Sequence, residues 1–266
     1  MGELNLDQIS TAYERDGYVA GVPILTEDEA ADHRRRLEAA EAKAGSMHYQ
    51  SNVHTILTSA AELATHPRVL DLVERMIGPN ILLHNATYII KEAHTKSHVS
   101  WHQDLTFWGL SHDDQVTLWL ALSPATLESG CMRMIPGSHI GGVKHHDVTE
   151  DENNVLLQGQ TIQSVDESKA RLAPLAPGEA SFHHGWTLHA SMPNNSDDRR
   201  IGLNVQYLAT HVRQTKHDLD TALLVRGVDE YQNFKPAKLA TTDLNPEAVQ
   251  LQADMDRLYR ETAGRM

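Results

Sequence analysis

Between residues 80 and 210 the chain breaks into short apolar or alternating segments, each stopped by a turn signal. No other feature constrains its fold as strongly. Strand-like runs are read at about 80–91, 98–106, 115–123, 131–136, 171–175, 179–184, 186–191 and 200–210. Pro124, Pro136-Gly137, Pro177-Gly178 and Pro193-Asn194 punctuate them, and these are residue types that turns demand. The clearest alternation is Ile201-Gly-Leu203-Asn-Val205-Gln-Tyr207-Leu208, since side chains along a strand point to opposite faces in turn. The residues before 80 read as helices, at 6–16, 26–44 and 66–77. Thr26 is a good N-cap, with Glu27, Asp28 and Glu29 in the first turn behind it. Val69, Leu70, Leu72, Val73 and Met76 form an apolar stripe that ends near Gly78-Pro79. A last helix is expected over 246–262. Many short strands after a helical start predict a mainly β jelly roll with a helical layer.

Composition is compatible with one such domain over residues 1–266, helical to about 78 and β from about 80 to 210. No internal repeat or low-complexity tract interrupts it. No run of about 18 apolar residues occurs, so no membrane span is expected. The start, Met1-Gly-Glu-Leu-Asn-Leu-Asp, has neither the basic segment nor the apolar core of a signal peptide. With a single cysteine, Cys131, read as a small core residue, the expected location is the reducing cytoplasm. The formal charge of −13, from 23 basic and 36 acidic residues, argues against nucleic acid as a partner. It argues less firmly against a coenzyme A thioester, whose phosphates seek cations. Arg34-Arg35-Arg36 falls inside a predicted helix, where three consecutive residues spread around the axis, so it reads as a solvated face. A homo-oligomer is compatible with all of this.

Chemistry concentrates at Trp101-His102-Gln103-Asp104, read with a distal His189 and with Arg200 eleven residues beyond it. Two imidazoles and one carboxylate on one face of an iron leave three positions open, the facial triad of non-haem Fe(II) oxygenases. If residues 99–105 are extended, His102 and Asp104 share a face and Gln103 turns away. Imidazole suits iron, zinc, copper and nickel, so residue types alone do not settle the metal. The chain has 17 histidines, and His112-Asp113-Asp114 and His145-His146-Asp147 also match His-x-Asp. Both lie in polar, turn-like surroundings, whereas His102 is flanked by Val99, Trp101, Thr106, Phe107 and Trp108, as a packed strand wants. His183, His184 and His211 rival His189 as the distal ligand. His189 is preferred because Pro193, Asn194, Ser196 and Asp197 predict a hairpin that returns Arg200 towards it. A guanidinium binds a carboxylate bidentately, so Arg200 can anchor the far end of a dicarboxylate. Arg199, facing the other way, reads as a surface charge.

These residues resemble the phytanoyl-CoA dioxygenase-like family of Fe(II)/2-oxoglutarate oxygenases. The resemblance runs from about Tyr13-Glu-Arg-Asp-Gly17-Tyr18-Val19 to residue 210. It rests on His102-Gln-Asp104, on Met134-Ile-Pro136-Gly137-Ser138-His139, and on His189 with Ser191, Asn194 and Arg200. It implies a double-stranded β-helix core, with Fe(II) held by His102, Asp104 and His189, and 2-oxoglutarate and O2 as co-substrates. It further implies that Thr117, Trp119, Ser191 and Asn85 join Arg200 in the co-substrate pocket, although Thr117 and Trp119 equally suit a half-buried strand and a bland role is favoured for Asn85. The implied reaction is oxidative decarboxylation of 2-oxoglutarate coupled to hydroxylation of an unactivated C–H bond. Halogenating members of the superfamily resemble the chain around Trp101-His102-Gln103 and Phe107-Trp108-Gly109 but carry a small residue in place of Asp104. The carboxylate favours hydroxylation here.

Trp101, Phe107, Trp108 and the acidic segment 140–168 are candidates to shape a substrate pocket, each with an equally good core or loop reading. The neighbourhood is similar to relatives acting on amino acids or small amine-bearing molecules, so a small zwitterion is preferred to an acyl thioester. A cupin-like metal-binding protein, which needs no Arg200, and a zinc hydrolase using the same three ligands remain as alternatives.

Overall fold

The computed structural model describes residues 5–156 and 159–263. Helix α1 (Leu6–Asp16), strand β1 (Tyr18–Pro23) and helices α2 (Glu27–Ala44), α3 (Thr58–Ala64) and α4 (Pro67–Ile77) come first. Then follow β2 (Ile81–Lys91), β3 (Val99–His102), the single-turn helix α5 (Leu105–Trp108), β4 (Gln115–Ala121), β5 (Met132–Met134) and β6 (Arg171–Ala173). Strands β7 (Glu179–His183), β8 (His189–Ser191), β9 (Arg200–Ala209), β10 (Thr221–Arg226) and β11 (Lys235–Pro236) complete the sheets, and α6 (Pro246–Ala263) ends the chain. A seven-stranded sheet in the order β1-β7-β4-β9-β2-β10-β11 faces a four-stranded sheet in the order β3-β8-β5-β6. Neighbouring strands are antiparallel except β10 and β11. This is the jelly-roll core expected of the sequence.

Alternation along the central strands explains how one sheet serves two layers. Val116, Leu118 and Leu120 of β4 and Ile201, Leu203, Val205 and Tyr207 of β9 pack against Leu37, Val69, Leu72 and Val73 of the helices. The intervening Trp119 and Ala121 pack towards Met132 and Met134 of the small sheet. Strand β2 carries a one-residue bulge, Leu83 pairing with Tyr207 but Asn85 with Gln206. The extra residue lets Ile81 and Leu83 before it and Ala86, Tyr88 and Ile90 after it reach the same core; without it one set would face the wrong layer. The α2 N-terminus is a closed capping box: Thr26 Oγ1 accepts from Glu29 N–H, and Glu29 returns a carboxylate oxygen to Thr26 N–H.

Two local expectations are corrected. The strand read at 98–106 stops at His102, and Asp104 lies in helical backbone (φ −60°, ψ −48°) at the head of α5. His102 and Asp104 therefore converge through a strand-to-helix turn and not by strand alternation. Strands β8 and β9 do not form a hairpin, because they belong to different sheets. The connection between them is drawn tight by Asn194, whose amide donates to the carbonyls of Lys91, Glu92 and Asp198. Helix α3 and strands β1, β10 and β11 had no counterpart among the predicted elements. Strand β1 is broken by a bulge between Val19 and Val22, with Gly21 at φ 74°, which erases the period-two signal. No helix among the described residues is long and apolar enough to cross a membrane.

Candidate active site

His102 closes β3 and His189 opens β8, and the two are direct cross-strand partners. Their rings stand 4.1 Å apart, centroid to centroid. Each is oriented by its own strand. The Nδ1–H of His102 donates to the carbonyl of Ser100, and that of His189 to the carbonyl of Thr187, both at 2.9 Å. Those bonds place the proton on Nδ1 and leave each Nε2 lone pair free to bind a metal. Asp104 Oδ1 lies 3.2 Å from His102 Nε2 and 3.7 Å from His189 Nε2. Metal–ligand bonds of about 2.1 Å put adjacent corners of an octahedron about 3 Å apart. The three ligand atoms, all within 4.8 Å of one another, fit one ion.

The other oxygen of Asp104 is held by residues that the motif does not reveal. His183 Nε2 donates to Oδ2 at 3.2 Å and Thr117 Oγ1 at 3.3 Å, and Gln115 in turn donates to Thr117 Oγ1 at 2.7 Å. This shell turns Oδ1 towards the imidazoles. Burial would raise the Asp104 pKa, but the His189, His102 and His183 rings outweigh it and hold the carboxyl well below its usual range. Burial, followed by the neighbouring His102, holds the His189 pKa well below that of a free imidazole. A neutral imidazole at His189 and an ionised carboxylate at Asp104 are states a divalent ion requires.

Gln103 does turn away from the metal-binding atoms. Its amide donates to the carbonyls of Gly142 and Trp186, and its oxygen accepts from Lys144 N–H. Its own N–H donates to His146 Nε2 at 3.0 Å. The motif thus ties down the start of the 140–168 segment. Further along, Leu156 and Gln160 line the cavity that contains the triad.

That cavity takes in the triad, Arg200 and a set of aromatic residues that form one wall. Arg200 is 1% exposed, its guanidinium lies 5.1 Å from the Trp119 ring, and Nη1 donates to the Gly130 carbonyl at 2.7 Å. Its Nε is buried without a partner among the described residues. Burial pushes its pKa down to about 10. Gly202 makes this platform possible: a Cβ there would stand 2.0 Å from the Trp119 ring. A buried guanidinium with no carboxylate is costly unless an anion completes it.

The remaining candidates sort by position. Ser191 and Trp119 line the cavity beside Arg200, and Phe107 and Trp108 line its aromatic wall. Thr117 serves Asp104 and is not among the lining residues. Asn85 is also absent from the lining; its side-chain oxygen accepts from Asn52 N–H at 2.7 Å. Trp101 packs with Ile135, Ile162, Leu188 and Ala190 beneath Arg133 and does not reach the cavity. Among the decoys, His112 and His145 are exposed, His145 pairing with Asp147, and His211 pairs with Asp114. Arg199 is more than a surface charge: it is half-buried and bound to Glu41 and Glu92. Arg34, Arg35 and Arg36 do spread apart, each to its own carboxylate, Asp198, Asp32 and Glu62.

Tyr49, Thr87, Asn204, Gln206 and Tyr259 also line the cavity and went unread in the sequence. Asn204 and Gln206 were within reach, being polar residues on the Arg200 face of an otherwise apolar strand. Tyr259 was not, because it comes from α6, far along the chain.

With the geometry in place, comparison with known proteins is decisive. Residues 13–202 match the family model for phytanoyl-CoA dioxygenase. The chain belongs to the phytanoyl-CoA dioxygenase family. A probable alpha-ketoglutarate-dependent hypophosphite dioxygenase of Stutzerimonas stutzeri is 31% identical over 160 residues, 59% of this chain and 56% of that one. The L-proline trans-4-hydroxylase of Streptomyces griseoviridis is 24% identical over 223 residues, 73% of this chain and 83% of that one. Among solved structures, the apo form of the non-heme monooxygenase ThoJ superposes with a TM-score of 0.84 at 28% identity, covering 97% of this chain and 99% of the other. The chain spans about half the length of the first curated family relatives it matches. Asn204, Gln206 and Tyr259 lie beyond the stretch that matches the phytanoyl-CoA dioxygenase family, so part of the cavity wall is outside what the family model describes.

Proposed function

We propose that this protein is an Fe(II)- and 2-oxoglutarate-dependent dioxygenase that hydroxylates an unactivated C–H bond of a small, amine-bearing molecule. The observation that carries the reading is a buried Arg200, its Nε unpaired among the described residues, in the same cavity as His102, Asp104 and His189. A cupin-like metal binder has no use for that guanidinium, nor has a zinc hydrolase. Asp104, fixed through Oδ2 by His183 and Thr117, occupies the position that a halogenase leaves to chloride.

The residues present fit both groups. His102, Asp104 and His189 would hold iron, and Arg200 with Ser191 would hold the far carboxylate of 2-oxoglutarate. When bound, iron would activate O2, which supplies the oxidising equivalents, and 2-oxoglutarate would supply two of the electrons that O2 consumes. The protein's share is geometric and electrostatic. The Ser100 and Thr187 carbonyls keep the ligand imidazoles in one tautomer, His183 and Thr117 keep Asp104 in one rotamer, and the aromatic wall sheds water from the space where the C–H bond must lie.

For the substrate, Tyr49, Phe107, Trp108 and Tyr259 present aromatic surface, with Thr87, Asn204 and Gln206 as neutral polar groups. Among the described lining residues Arg200 is the one lysine or arginine, so a thioester's phosphates would meet no other cation there. Aromatic faces attract ammonium groups, the chain carries a charge of −13, and one relative is named an L-proline trans-4-hydroxylase. Succinate release from 2-oxoglutarate, measured against amino acids, small amines, aminophosphonates and acyl thioesters, tests this. Stimulation by an amine-bearing compound supports the substrate class; stimulation by thioesters alone overturns it. Zinc-dependent hydrolysis with no succinate in any arm overturns the reaction class as well.

A further inference from the structure

Lys91 ends β2 and is 1% exposed, as deeply buried as Arg200, its direct cross-strand partner on β9. A lysine in such a place must surrender its hydration, so its hydrogen bonds have to be complete. They are. Nζ donates to the carbonyl of Ser191 at 3.3 Å, to Ser191 Oγ at 2.8 Å, and to the carbonyl of Met192. Three N–H groups meet three oxygens, the inventory of a charged ammonium. No carboxylate contacts Lys91 among the described residues. Burial, and then the Arg200 charge, lowers its pKa to about 6, so without an anion beside Arg200 the neutral amine prevails near pH 7, and an anion there favours the ammonium that these three oxygens complete.

The arrangement has a directional consequence at Ser191. A hydroxyl has one proton to donate and lone pairs to accept with. Its oxygen is occupied as an acceptor by Lys91, and among the described residues it donates to no protein group. Ser191 lines the cavity together with Arg200, so its proton is left for whatever lies there. A neutral amine would behave oppositely: with its two hydrogens on the carbonyls, it would draw the Ser191 proton to itself and turn an oxygen lone pair towards the cavity.

We propose that Lys91 is a positioning residue for the dicarboxylate co-substrate: by occupying Ser191 Oγ as an acceptor, its ammonium obliges Ser191 to donate its proton to the carboxylate that Arg200 holds. An anion at that point also favours the charged form of Lys91, so the ammonium and the co-substrate stabilise one another without touching. The inference rests on the assignment of the Arg200 end of the cavity to 2-oxoglutarate.

Calorimetric titration of 2-oxoglutarate into Mn(II)-loaded protein, which binds without turning over, tests it. Ser191→Ala should weaken binding about tenfold, the scale of one hydrogen bond to a charged group. Lys91→Met should weaken it as much, and the double variant no more than either alone, since both remove the same donated proton. Mn(II) affinity should stay within about twofold throughout. Unchanged 2-oxoglutarate affinity in Lys91→Met overturns the proposal, and so do losses that multiply in the double variant. Arg200→Leu is the control: if it binds 2-oxoglutarate as wild type does, the co-substrate site itself is wrong and Lys91 falls with it. If Lys91→Met does not fold, Ser191→Thr and Ser191→Ala decide. Retained affinity in the threonine variant and loss in the alanine variant support the donated proton, and no loss in either overturns it.

Discussion

Asp104 is fixed from both ends, Oδ1 facing His102 and His189 and Oδ2 held by His183 and Thr117. Replacing His102, Asp104 or His189 with alanine should therefore abolish stoichiometric Fe(II) binding and turnover, while His112→Ala and His145→Ala keep both. Equilibrium dialysis against Fe(II) checks this, and a metal-binding defect in His112→Ala with none in His102→Ala would contradict it. Arg200 and its neighbour Arg199 separate function from stability. Arg200→Leu should lose on the order of 2–5 kcal/mol of 2-oxoglutarate binding, read as a large rise in its apparent KM with little change in iron affinity. Arg199→Leu should leave that KM alone and instead lower the Tm, because it breaks the contacts to Glu41 and Glu92. Equal effects on KM would undo the assignment. The candidate ligands could be picked out in the sequence because ligand chemistry admits few residue types. The shell behind them could not, since His183 is one histidine among 17 and nothing local marks it.

At the scale of elements, the two strand arguments fared differently. The alternation of β9 held: Arg200, Asn204 and Gln206 line the cavity while Ile201, Leu203 and Val205 join the helical core, and Arg199, just before the strand, pairs with Glu41 and Glu92 instead. The alternation assumed through residues 99–105 failed, because Asp104 belongs to the α5 turn, yet the ligands still converged. A His-x-Asp pair can meet one ion from either backbone form, so the motif reports the site more reliably than the structure around it. The hairpin drawn from His189 to Arg200 failed for a related reason: turn residues show that the chain bends, not whether it returns to the same sheet. Gly202 belongs at this scale as well. Gly202→Ala would drive a methyl into the Trp119 ring, 2.0 Å from the added carbon, and that ring supports Arg200. Overpacking of this kind costs about 1–3 kcal/mol, so we expect a lower Tm together with weaker 2-oxoglutarate binding. Thermal unfolding and calorimetry on the same preparation check it, and a loss of stability with unchanged binding would show that the Trp119 platform is dispensable.

Across the whole molecule, buried neutral histidines set the acid limit. Burial lowers the His54 pKa from 6.5 to about 3 and the His146 pKa to about 4. In each case the unfolded chain takes up a proton that the folded chain refuses. Stability is therefore lost as pH falls from about 6.5 towards those values, by about 1.4 kcal/mol per unit for each group. His84 works in the opposite sense: burial lowers its pKa, but the Asp220 carboxylate raises it on balance, so its contribution is present in acid and fades as pH rises. The His54 and His146 rings, together with His189, whose pKa burial also lowers, outnumber it, and the Tm should fall between pH 6.5 and 4.5. His54→Leu should flatten that decline, and an equally steep profile would contradict the assignment. The fold as a whole was legible because strand punctuation and helix caps are local signals. Of the aromatic wall, Phe107 and Trp108 could be singled out in the sequence, but Tyr49 and Tyr259 could not, since these two meet only after the chain has closed. The central claim is that one cavity binds iron through the triad and 2-oxoglutarate through Arg200. Anaerobic visible spectroscopy of the Fe(II)-loaded protein tests it most directly. Addition of 2-oxoglutarate should produce the weak charge-transfer band of a chelated keto acid, saturating at low concentration in the wild type and only at far higher concentration in Arg200→Leu. A wild-type protein that binds Fe(II) yet shows no band at any 2-oxoglutarate concentration would contradict the account.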